Sequence, residues 1–367
     1  MRRTAALIAG GGPAGAAAAI ALARQGLTAL LVEREREPRS GVCGGFLGWD
    51  ALRQLDALGI DVSPLGARPI RLLRIVAGKR VVEVPLPGPA AGLSRRALDT
   101  ALLDRADRMG AAIEKGVRLR AADPARGLIS LADGATLAWD ALLLATGKHE
   151  LRGLARDHRR GPDRLGVGLR TMLARSVSLE RGLAGVIELH LFDGGYAGLL
   201  LQEDGSANLC VSLSGERRAG LRPEALPAAL ADEAPILAAR IGAAASVGRW
   251  SAIAGIPYGW RAEAGQSGIF RIGDQGAVIA SLAGDGIAMA LSGGRGAAAC
   301  LIRHGPAGAV HFQRRAGRSV AFPILVAGAL KAIAEQHPRL RAGLLSLFGH
   351  APALAGLSAR LTRAGSR

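Results

Sequence analysis

Cysteine is scarce in this sequence. Cys43, Cys210 and Cys300 are the only three among 367 residues, and no two of them form a Cys-x-x-Cys pair. An odd number of widely spaced cysteines argues against a disulfide framework and against a zinc site. We therefore predict a cytoplasmic protein without a bound metal ion.

Lysine is also rare. Only four of the 47 basic residues are lysines, so the formal net charge of +17 comes mostly from arginine. The arginines are scattered along the chain, and no DNA- or RNA-binding motif accompanies them. Nucleic acid is therefore not an expected partner. Anionic lipids are a better match for the charge, so peripheral membrane contact is kept as an alternative.

Long apolar runs are lacking after the N-terminus. Residues 4–23 carry no charge and follow Arg2 and Arg3, so a signal peptide or a membrane span is an alternative for this stretch. Its many glycines and few large apolar residues argue against both. With 49% hydrophobic residues, the chain is long enough for a large globular core.

The same N-terminal stretch contains the most informative motif. A short apolar strand is predicted at residues 5–9, and Gly10, Gly12 and Gly15 follow with the spacing Gly-x-Gly-x-x-Gly. A helix is predicted to begin at Pro13 and to end near Arg24. This strand, glycine turn and helix are typical of a dinucleotide-binding site.

Each glycine has a mechanical role in such a site. Gly10 makes the tight turn, Gly12 lets the backbone approach a pyrophosphate, and Gly15 lets helix and strand pack closely. The helix N-terminus offers N–H groups and a positive dipole end to the phosphates. A second strand, residues 28–32, ends at Glu33, where a carboxylate would bind the ribose hydroxyls.

Two later segments also have the pattern of strands that end at a dinucleotide-binding site. Residues 141–147 form an apolar run that ends in Ala-Thr-Gly, as expected for a buried parallel strand reaching the dinucleotide. Residues 268–274 form a strand ending in Gly-Asp, and a Gly-Asp-Gly sequence at 284–286 opens a helix. Asp274 would bind a ribityl hydroxyl, although an ordinary strand, turn and helix is the alternative.

The middle of the chain predicts a different sheet. Residues 68–86 alternate around Gly78 and Lys79 as a hairpin, and residues 186–213 contain three strand-like runs separated by turns. Such an antiparallel sheet would make one wall of a substrate cavity. Aromatic residues are only 3% of the chain, so Tyr196, Trp250 and Tyr258 are candidates for the substrate pocket, with core packing as the alternative.

Two further segments each have two possible interpretations. Cys43, Gly44 and Gly45 would let the backbone lie against a flat ring system, or they form a loop with a buried thiol. Ser94 is predicted to cap a helix in which Arg95 either reaches the cofactor or is a solvated first-turn arginine. The residue pattern alone leaves both questions open.

The order of these motifs resembles the flavoprotein superfamily that includes the para-hydroxybenzoate-hydroxylase-type monooxygenases and the geranylgeranyl reductases. The similarity covers residues 4–300. It implies FAD as the cofactor and places Cys43, Gly44 and Gly45 beside the flavin, with no catalytic side chain assigned. The implied cofactor-binding residues are Gly10, Gly12, Pro13, Ala14, Gly15, Glu33, Arg34, Arg95, Thr146, Gly147, Asp274, Gly284, Gly286 and Ile287.

Some family motifs are altered here. Of the reductases' Tyr-x-Trp-x-Phe-Pro strand only Tyr196 remains, and Ala-Thr-Gly-Lys-His replaces the hydroxylases' Asp-Gly motif at residues 145–149. The halogenases' Trp-x-Trp-x-Ile-Pro motif is disrupted by Ala252 and Ala254, so halogenation is not expected.

We therefore predict an α/β fold, with a Rossmann-like FAD-binding domain of the glutathione-reductase type and an inserted antiparallel β-sheet substrate domain. The FAD-binding domain would comprise residues 1–67, 93–150 and 266–304, and the substrate domain residues 68–92 and 151–265. Residues 305–367 would form a C-terminal helical segment without a motif.

The preferred function is an NAD(P)H-dependent flavoprotein monooxygenase that hydroxylates an apolar or phenolic small molecule. The alternatives are a flavin reductase of isoprenoid carbon–carbon double bonds and a flavin-binding module at the membrane surface. The sequence contains no second dinucleotide motif, so NAD(P)H would dock transiently as electron donor. The oligomeric state is not determined by the sequence.

Overall fold

The computed structural model describes residues 2–157, 165–218 and 222–364. In this part of the chain, seven strands form a first sheet. They are β1 (Arg2–Ala9), β2 (Ala29–Glu33), β6 (Ala112–Lys115), β7 (Leu119–Asp123), β8 (Leu128–Leu131), β9 (Thr136–Leu144) and β15 (Ile269–Arg271). Their spatial order is β6-β2-β1-β9-β8-β7, and β15 also pairs with β9.

The central strands of this sheet are parallel. β1 lies between β2 and β9 and is parallel to both, while β6 and β15 extend the parallel part. Neighbouring residues such as Leu7 and Ile8, or Leu142 and Leu143, point to opposite faces, and all four are fully buried. Both faces are therefore covered, as their continuous apolar sequences predict.

Eleven α-helices are present in the described residues. They are α1 (Pro13–Ala23), α2 (Trp49–Ala57), α3 (Arg95–Arg108), α4 (Val177–Leu183), α5 (Gly215–Arg218), α6 (Leu226–Ala229), α7 (Pro235–Gly242), α8 (Gly286–His304), α9 (Gly308–Gln336), α10 (Pro338–His350) and α11 (Pro352–Leu361). Small residues bring α1 and α8 into close contact, since a Cβ added to Gly294 would lie 2.1 Å from the carbonyl oxygen of Ala14.

A second sheet contains eight strands in the described residues. They are β3 (Phe46–Leu47), β4 (Arg68–Ala77), β5 (Arg80–Gly92), β10 (Gly166–Leu173), β11 (Val186–Phe192), β12 (Gly195–Leu201), β13 (Ala207–Leu213) and β14 (Ser251–Ile256). Their order is β14-β10-β13-β12-β11-β4-β5-β3, and the pairings are antiparallel except between β4 and β11.

The predicted fold class is confirmed by this arrangement, and so are the β4–β5 hairpin and the β11–β13 meander. The sequence did not predict β10. Its Arg170 is buried and donates from Nε to Oδ1 of Asn208 at 2.7 Å. A buried arginine interrupts the apolar pattern from which a strand is recognised.

The C-terminal helices pack against the second sheet. Ala334 of α9, Leu345 and Phe348 of α10 and Ala355 of α11 share a core cluster with Tyr196 of β12. The sequence showed the helical pattern of this segment but not the face on which it packs. This position makes the segment part of the cavity described below.

A buried carboxylate joins several elements of the second sheet. Glu188 of β11 is fully buried and contacts Arg74 at 2.5 Å, Arg240 at 2.8 Å and His190 at 3.0 Å. Burial alone would raise the pKa of Glu188, but the hydrogen bonds from His190, Arg240 and Arg74 lower it to about 2. The charged form is therefore stabilised by the fold.

Replacing Glu188→Gln is expected to lower the free energy of unfolding by about 3 kcal/mol, because Arg74 and Arg240 lose their shared counter-ion. Chemical denaturation would measure this change. In the wild type, the lowered pKa of Glu188 stabilises the folded state at pH values above 4.5, the ordinary pKa of the group. This stabilisation is lost as the pH falls towards 2. The control Glu83→Gln removes an exposed partner of the same Arg74 and should cost less than about 0.5 kcal/mol. Equal losses of unfolding free energy in the two variants would contradict the role of Glu188 as the shared counter-ion of Arg74 and Arg240.

Candidate active site

Two glycines of the N-terminal turn are required by the packing of the protein itself. Gly10 follows β1 with a φ of +112°, and an added Cβ would lie 2.5 Å from the carbonyl oxygen of Ala145. A Cβ on Gly15 would lie 1.9 Å from the carbonyl oxygen of Gly10. The turn therefore fits tightly between α1 and the end of β9.

Gly12 is different. A Cβ there would meet Nη2 of Arg95 at 3.4 Å, which is an ordinary van der Waals distance. The protein has room for an alanine, so a ligand lying against this turn explains the glycine. Gly12 also provides no side-chain cap for α1, and the first-turn N–H groups are thus suited to a pyrophosphate.

Glu33 occupies the predicted ribose position at the end of β2. Its Oε2 accepts a hydrogen bond from the N–H of Gly11 at 2.6 Å, and its Oε1 accepts one from the N–H of Glu35 at 2.9 Å. These two bonds fix the carboxylate beside the glycine turn. Next to it, Nη2 of Arg34 lies 3.0 Å from Nε2 of His149.

Arg95 lies in the wall of the same site. It forms a bidentate pair with Asp99, one turn further along α3, at 2.9 and 2.7 Å. Burial opposes its charge, but Asp99 holds the pKa of Arg95 above its ordinary value. A permanent cation therefore stands next to Gly12, where it could contact a phosphate or the flavin.

Hydrogen bonds and a salt bridge join the region after the Ala-Thr-Gly segment, residues 145–149, to the Gly-Asp segment, residues 273–275. Nε2 of Gln275 donates to the carbonyl oxygens of Gly147 and His149, both at 2.9 Å. Nζ of Lys148 lies 3.1 Å from Oδ2 of Asp274, and this carboxylate raises the pKa of Lys148. Sequence reasoning missed Lys148, because the residue stands where the family motif is altered.

The loop before α8 is anchored by the C-terminus. Asp285 is fully buried, and its Oδ1 lies 3.0 Å from Nη1 of Arg363. Its Oδ2 accepts a hydrogen bond from the N–H of Ala364 at 2.9 Å, and Arg363 also donates to the carbonyl oxygen of Gly284 at 3.1 Å. The guanidinium carbon of Arg363 stands 4.3 Å from the ring centroid of Trp49. These contacts fix the backbone that the resemblance places beside the flavin.

The Cys-Gly-Gly loop faces the same space from the opposite side. Nδ2 of Asn208 donates to the carbonyl oxygens of Cys43 at 2.9 Å and Gly44 at 2.6 Å, and Gly45 has a φ of +72°. A Cβ on Gly44 would meet no atom of the described chain within 4 Å. Burial raises the pKa of the nearby Cys210 thiol to about 12, so this thiol stays protonated.

A cavity of about 350 Å³ connects these segments with the second sheet. One end contains Gly12, Pro13, Ala14, Arg95, Gly147 and Asp274. Cys43, Gly44, Gly45, Gly284, Gly286 and Ile287 also line it. The other end is mostly aliphatic, with Leu73, Ile75, Leu189, Leu344 and Leu345 beside the ring of Phe348.

Four hydroxyl groups meet in the wall of this cavity. Tyr196 shares a short hydrogen bond with Ser281, and the hydroxyl of Tyr258 lies 3.1 Å from Oγ of Ser281 and 3.4 Å from Oγ of Ser212. Burial raises the pKa of both tyrosines, so both stay neutral at physiological pH. This hydroxyl cluster is a group of neutral donors and acceptors within a mostly apolar wall.

The remaining predicted residues lie around the cavity rather than in its wall. Gly10, Gly15 and Thr146 shape the neighbouring turns, and Oγ1 of Thr146 donates to the carbonyl oxygen of His149 at 2.7 Å. Trp250 was one of the three pocket candidates, with core packing as the alternative. It is not in the wall of this cavity, and it packs against the core of the second sheet.

Ser212, Ser281 and Arg363 were missed, since isolated serines and a C-terminal arginine give no motif. Within the ranges that the structure describes, no group of three or more His, Cys, Asp or Glu side chains could hold a metal ion.

A family model described as an FAD binding domain matches residues 3–126. Residues 3–126 therefore form an FAD-binding domain, and the chain is similar to flavoproteins. The open face at Gly12, the carboxylate of Glu33 and the cation of Arg95 fit the pyrophosphate, ribose and anionic parts of FAD. FAD as the cofactor is thereby confirmed, whereas the oxidoreductase activity and the roles of individual residues stay predictions.

Two curated relatives extend this similarity. Menaquinone reductase of Mycobacterium tuberculosis is 30% identical over 227 residues, which are 58% of this chain and 56% of that protein. The chloroplastic geranylgeranyl diphosphate reductase of Oryza sativa subsp. japonica is 35% identical over 125 residues, 32% of this chain and 26% of that protein. The matches thus span about half, or less, of the relatives' own length.

The fold is also found in a solved structure of PqsL, a probable FAD-dependent monooxygenase from Pseudomonas aeruginosa. The two structures superpose with a TM-score of 0.73 over 94% of this chain and 100% of that chain. Their sequences are 20% identical, so this likeness establishes the fold alone.

Two glycine substitutions separate cofactor binding from folding. Gly12→Ala should leave the thermal midpoint nearly unchanged but weaken FAD binding at least about tenfold, because the methyl group occupies the pyrophosphate side of the turn. Gly15→Ala should lower the yield of folded protein, since its Cβ overlaps the carbonyl oxygen of Gly10. Fluorescence titration of the apoprotein with FAD and calorimetry would measure both effects. Full FAD affinity in a folded Gly12→Ala protein would show that the FAD pyrophosphate does not lie against Gly12.

Proposed function

We propose that this chain is an NAD(P)H-dependent FAD monooxygenase that hydroxylates an apolar small molecule with a phenolic head group. The observation that carries the proposal is the continuous cavity between the predicted FAD site and the hydroxyl cluster. When bound, FAD supplies the redox chemistry, and the protein binds and positions the substrate and excludes water.

The wall of the cavity fits such a substrate. Aliphatic side chains of β4, β11 and α10 would surround an apolar body and exclude water from it. The hydroxyl cluster would bind the head group, because Tyr196, Tyr258, Ser212 and Ser281 can each donate or accept a hydrogen bond. A substrate held in this way would have its polar end orientated in a mostly apolar wall.

A positive charge in the cavity also fits a phenolic substrate. Lys148 contacts Asp274, and its cation contributes to the electrostatic environment of Tyr258 and Cys43. A phenol near Lys148 would be more acidic than in water, because the cation favours the phenolate. Lys148 would thereby activate the ring that is hydroxylated.

A second candidate is reduction of a carbon–carbon double bond in an isoprenoid. It is favoured by the reductase names of both curated relatives and by the presence of Cys43, Gly44 and Gly45 in the cavity wall. The aliphatic end of the cavity would suit an isoprenoid as well. In this case the protein would hold the double bond beside the flavin and exclude oxygen from it.

The mass of the product distinguishes the two reactions. Extracts of the producing cell with and without this gene should reveal a metabolite pair that differs by one oxygen atom, and labelled molecular oxygen should supply that atom. A pair that differs instead by two hydrogen atoms, and forms without air, would replace the proposal by the reductase.

Removal of one hydroxyl from the cluster tests head-group binding. Tyr258→Phe should raise KM for a phenolic substrate about tenfold, because the buried polar head group loses a hydrogen-bond partner. An analogue that lacks the hydroxyl group provides the control, since its KM should be the same for wild type and variant. FAD content should also be unchanged. An equal rise in KM for both compounds would show that Tyr258 acts only through packing.

A further inference from the structure

The exposed apolar side chains are concentrated at the C-terminus. Of the large hydrophobic residues exposed in the described chain, most lie on α8–α11, and only Leu27, Val81, Val177 and Val247 lie elsewhere. They are Ile302, Phe322, Leu325, Leu340, Leu347, Leu354, Leu357 and Leu361. Scattered exposed leucines need no explanation, but such a concentration is typical of an interaction surface.

On each of the last three helices these residues follow a helical spacing. Phe322 and Leu325 share a face of α9, Leu340 and Leu347 share one of α10, and Leu354, Leu357 and Leu361 share one of α11. The three helices also contact one another. We call these seven exposed residues on the three contacting helices the apolar face.

Helix α9 is long and apolar enough to span a membrane, with a mean hydropathy of 1.4 in its most apolar window. Its contacts argue for a different position. Oε1 of the buried Gln313 accepts a hydrogen bond from the N–H of Arg271, and Ala334 packs against Tyr196 in the core of the second sheet. One side of the helix is therefore fixed to the enzyme, and only the other side is available to lipid.

The charge of the segment fits an anionic surface. Between Gly305 and Ala364 there are eight arginines and lysines against one acidic residue, Glu335. Glu335 is buried and pairs with Lys331, while Arg314, Arg315 and Arg318 are exposed on α9. Apolar side chains combined with exposed arginines are typical of helices that lie in the headgroup region of anionic membranes.

The inner side of the same helices lines the substrate cavity. Leu330 and Ala334 of α9, Leu344 and Phe348 of α10 and Ala355 of α11 face the cavity. One layer of helices thus separates the apolar face from the apolar end of the cavity. A molecule dissolved in a bilayer would reach the cavity by passing between these helices, without crossing water.

We propose that the apolar face docks this enzyme on an anionic phospholipid bilayer, and that its substrate is an amphiphile dissolved in that bilayer. The substrate class rests on the proposed function, whereas docking does not. The enzyme is therefore a peripheral membrane protein that takes its substrate from the lipid phase.

The test is flotation of the full-length, FAD-loaded protein with vesicles. Vesicles of phosphatidylcholine mixed with phosphatidylglycerol should carry the protein, and vesicles of phosphatidylcholine alone should carry much less. The variant Leu325→Glu/Leu357→Glu should lower the bound fraction about tenfold, because two charges then enter the apolar boundary. Arg314→Gln/Arg315→Gln/Arg318→Gln should weaken binding only to the anionic vesicles.

Val177→Glu on α4 is the matched control. Val177 is 65% exposed and Leu325 is 69% exposed, so Val177→Glu matches the Leu325→Glu change of the double variant except for its place. The control should float like the wild type, and FAD content verifies that each variant is folded. Absence of wild-type flotation, or an equal loss with Val177→Glu, would overturn the docking proposal. A dimer that Leu325→Glu/Leu357→Glu converts to monomers would overturn it as well, since a second copy would then cover the face.

A separate readout distinguishes this proposal from the proposed function. A short-chain phenolic analogue that dissolves in water should be hydroxylated equally by wild type and by Leu325→Glu/Leu357→Glu. A bilayer-dissolved substrate should be turned over at least about tenfold more slowly by the variant. Flotation without hydroxylation of either compound would remove the proposed function and leave docking in place. Equal turnover of the bilayer-dissolved substrate would overturn the assigned substrate class.

Discussion

The close approach of four backbone segments is the constraint on which this structure depends. The turn after β1, the start of α1, the end of β9 and the middle of α8 meet where Gly10, Gly15 and Gly294 leave no space for a Cβ atom. Their closeness brings the first-turn N–H groups of α1 beside Gly147 and Asp274, which come from distant parts of the sequence. A cofactor site made of separate segments is possible only because these crossings contain no side chains.

The second sheet turns this cofactor site into a cavity. Asn208 of β13 holds the Cys43–Gly44 backbone, and Tyr196 of β12 contacts Ser281 in the segment before α8. Each contact joins a strand of the second sheet to a loop of the nucleotide-binding part. On the opposite face of the same sheet, Glu188 forms salt bridges with both Arg74 and Arg240. The substrate wall is therefore held in position by polar contacts, while its own surface stays apolar.

The sequence predicted those parts of the structure that rely on local patterns. The glycine turn, the strand that ends at Glu33 and the apolar run before Thr146 could be recognised because each has a spacing or a period of its own. Lys148, Ser212 and Ser281 could not, since their importance arises from neighbours far away in the chain. Strand β10 was missed for a similar reason, because the partner of its buried Arg170 is Asn208 on another strand.

The C-terminal segment has no motif, yet its helices have two distinct sides, one lining the cavity and one exposed. Its last turn binds the loop before α8 through Arg363 and Asp285, a buried pair that is costly to break once formed. Because the same segment lines the aliphatic end of the cavity, any movement of α10 and α11 would change substrate access and the flavin-side loop together. Membrane contact at the outer side would therefore influence the reaction through the helices, without a direct contact between lipid and cofactor.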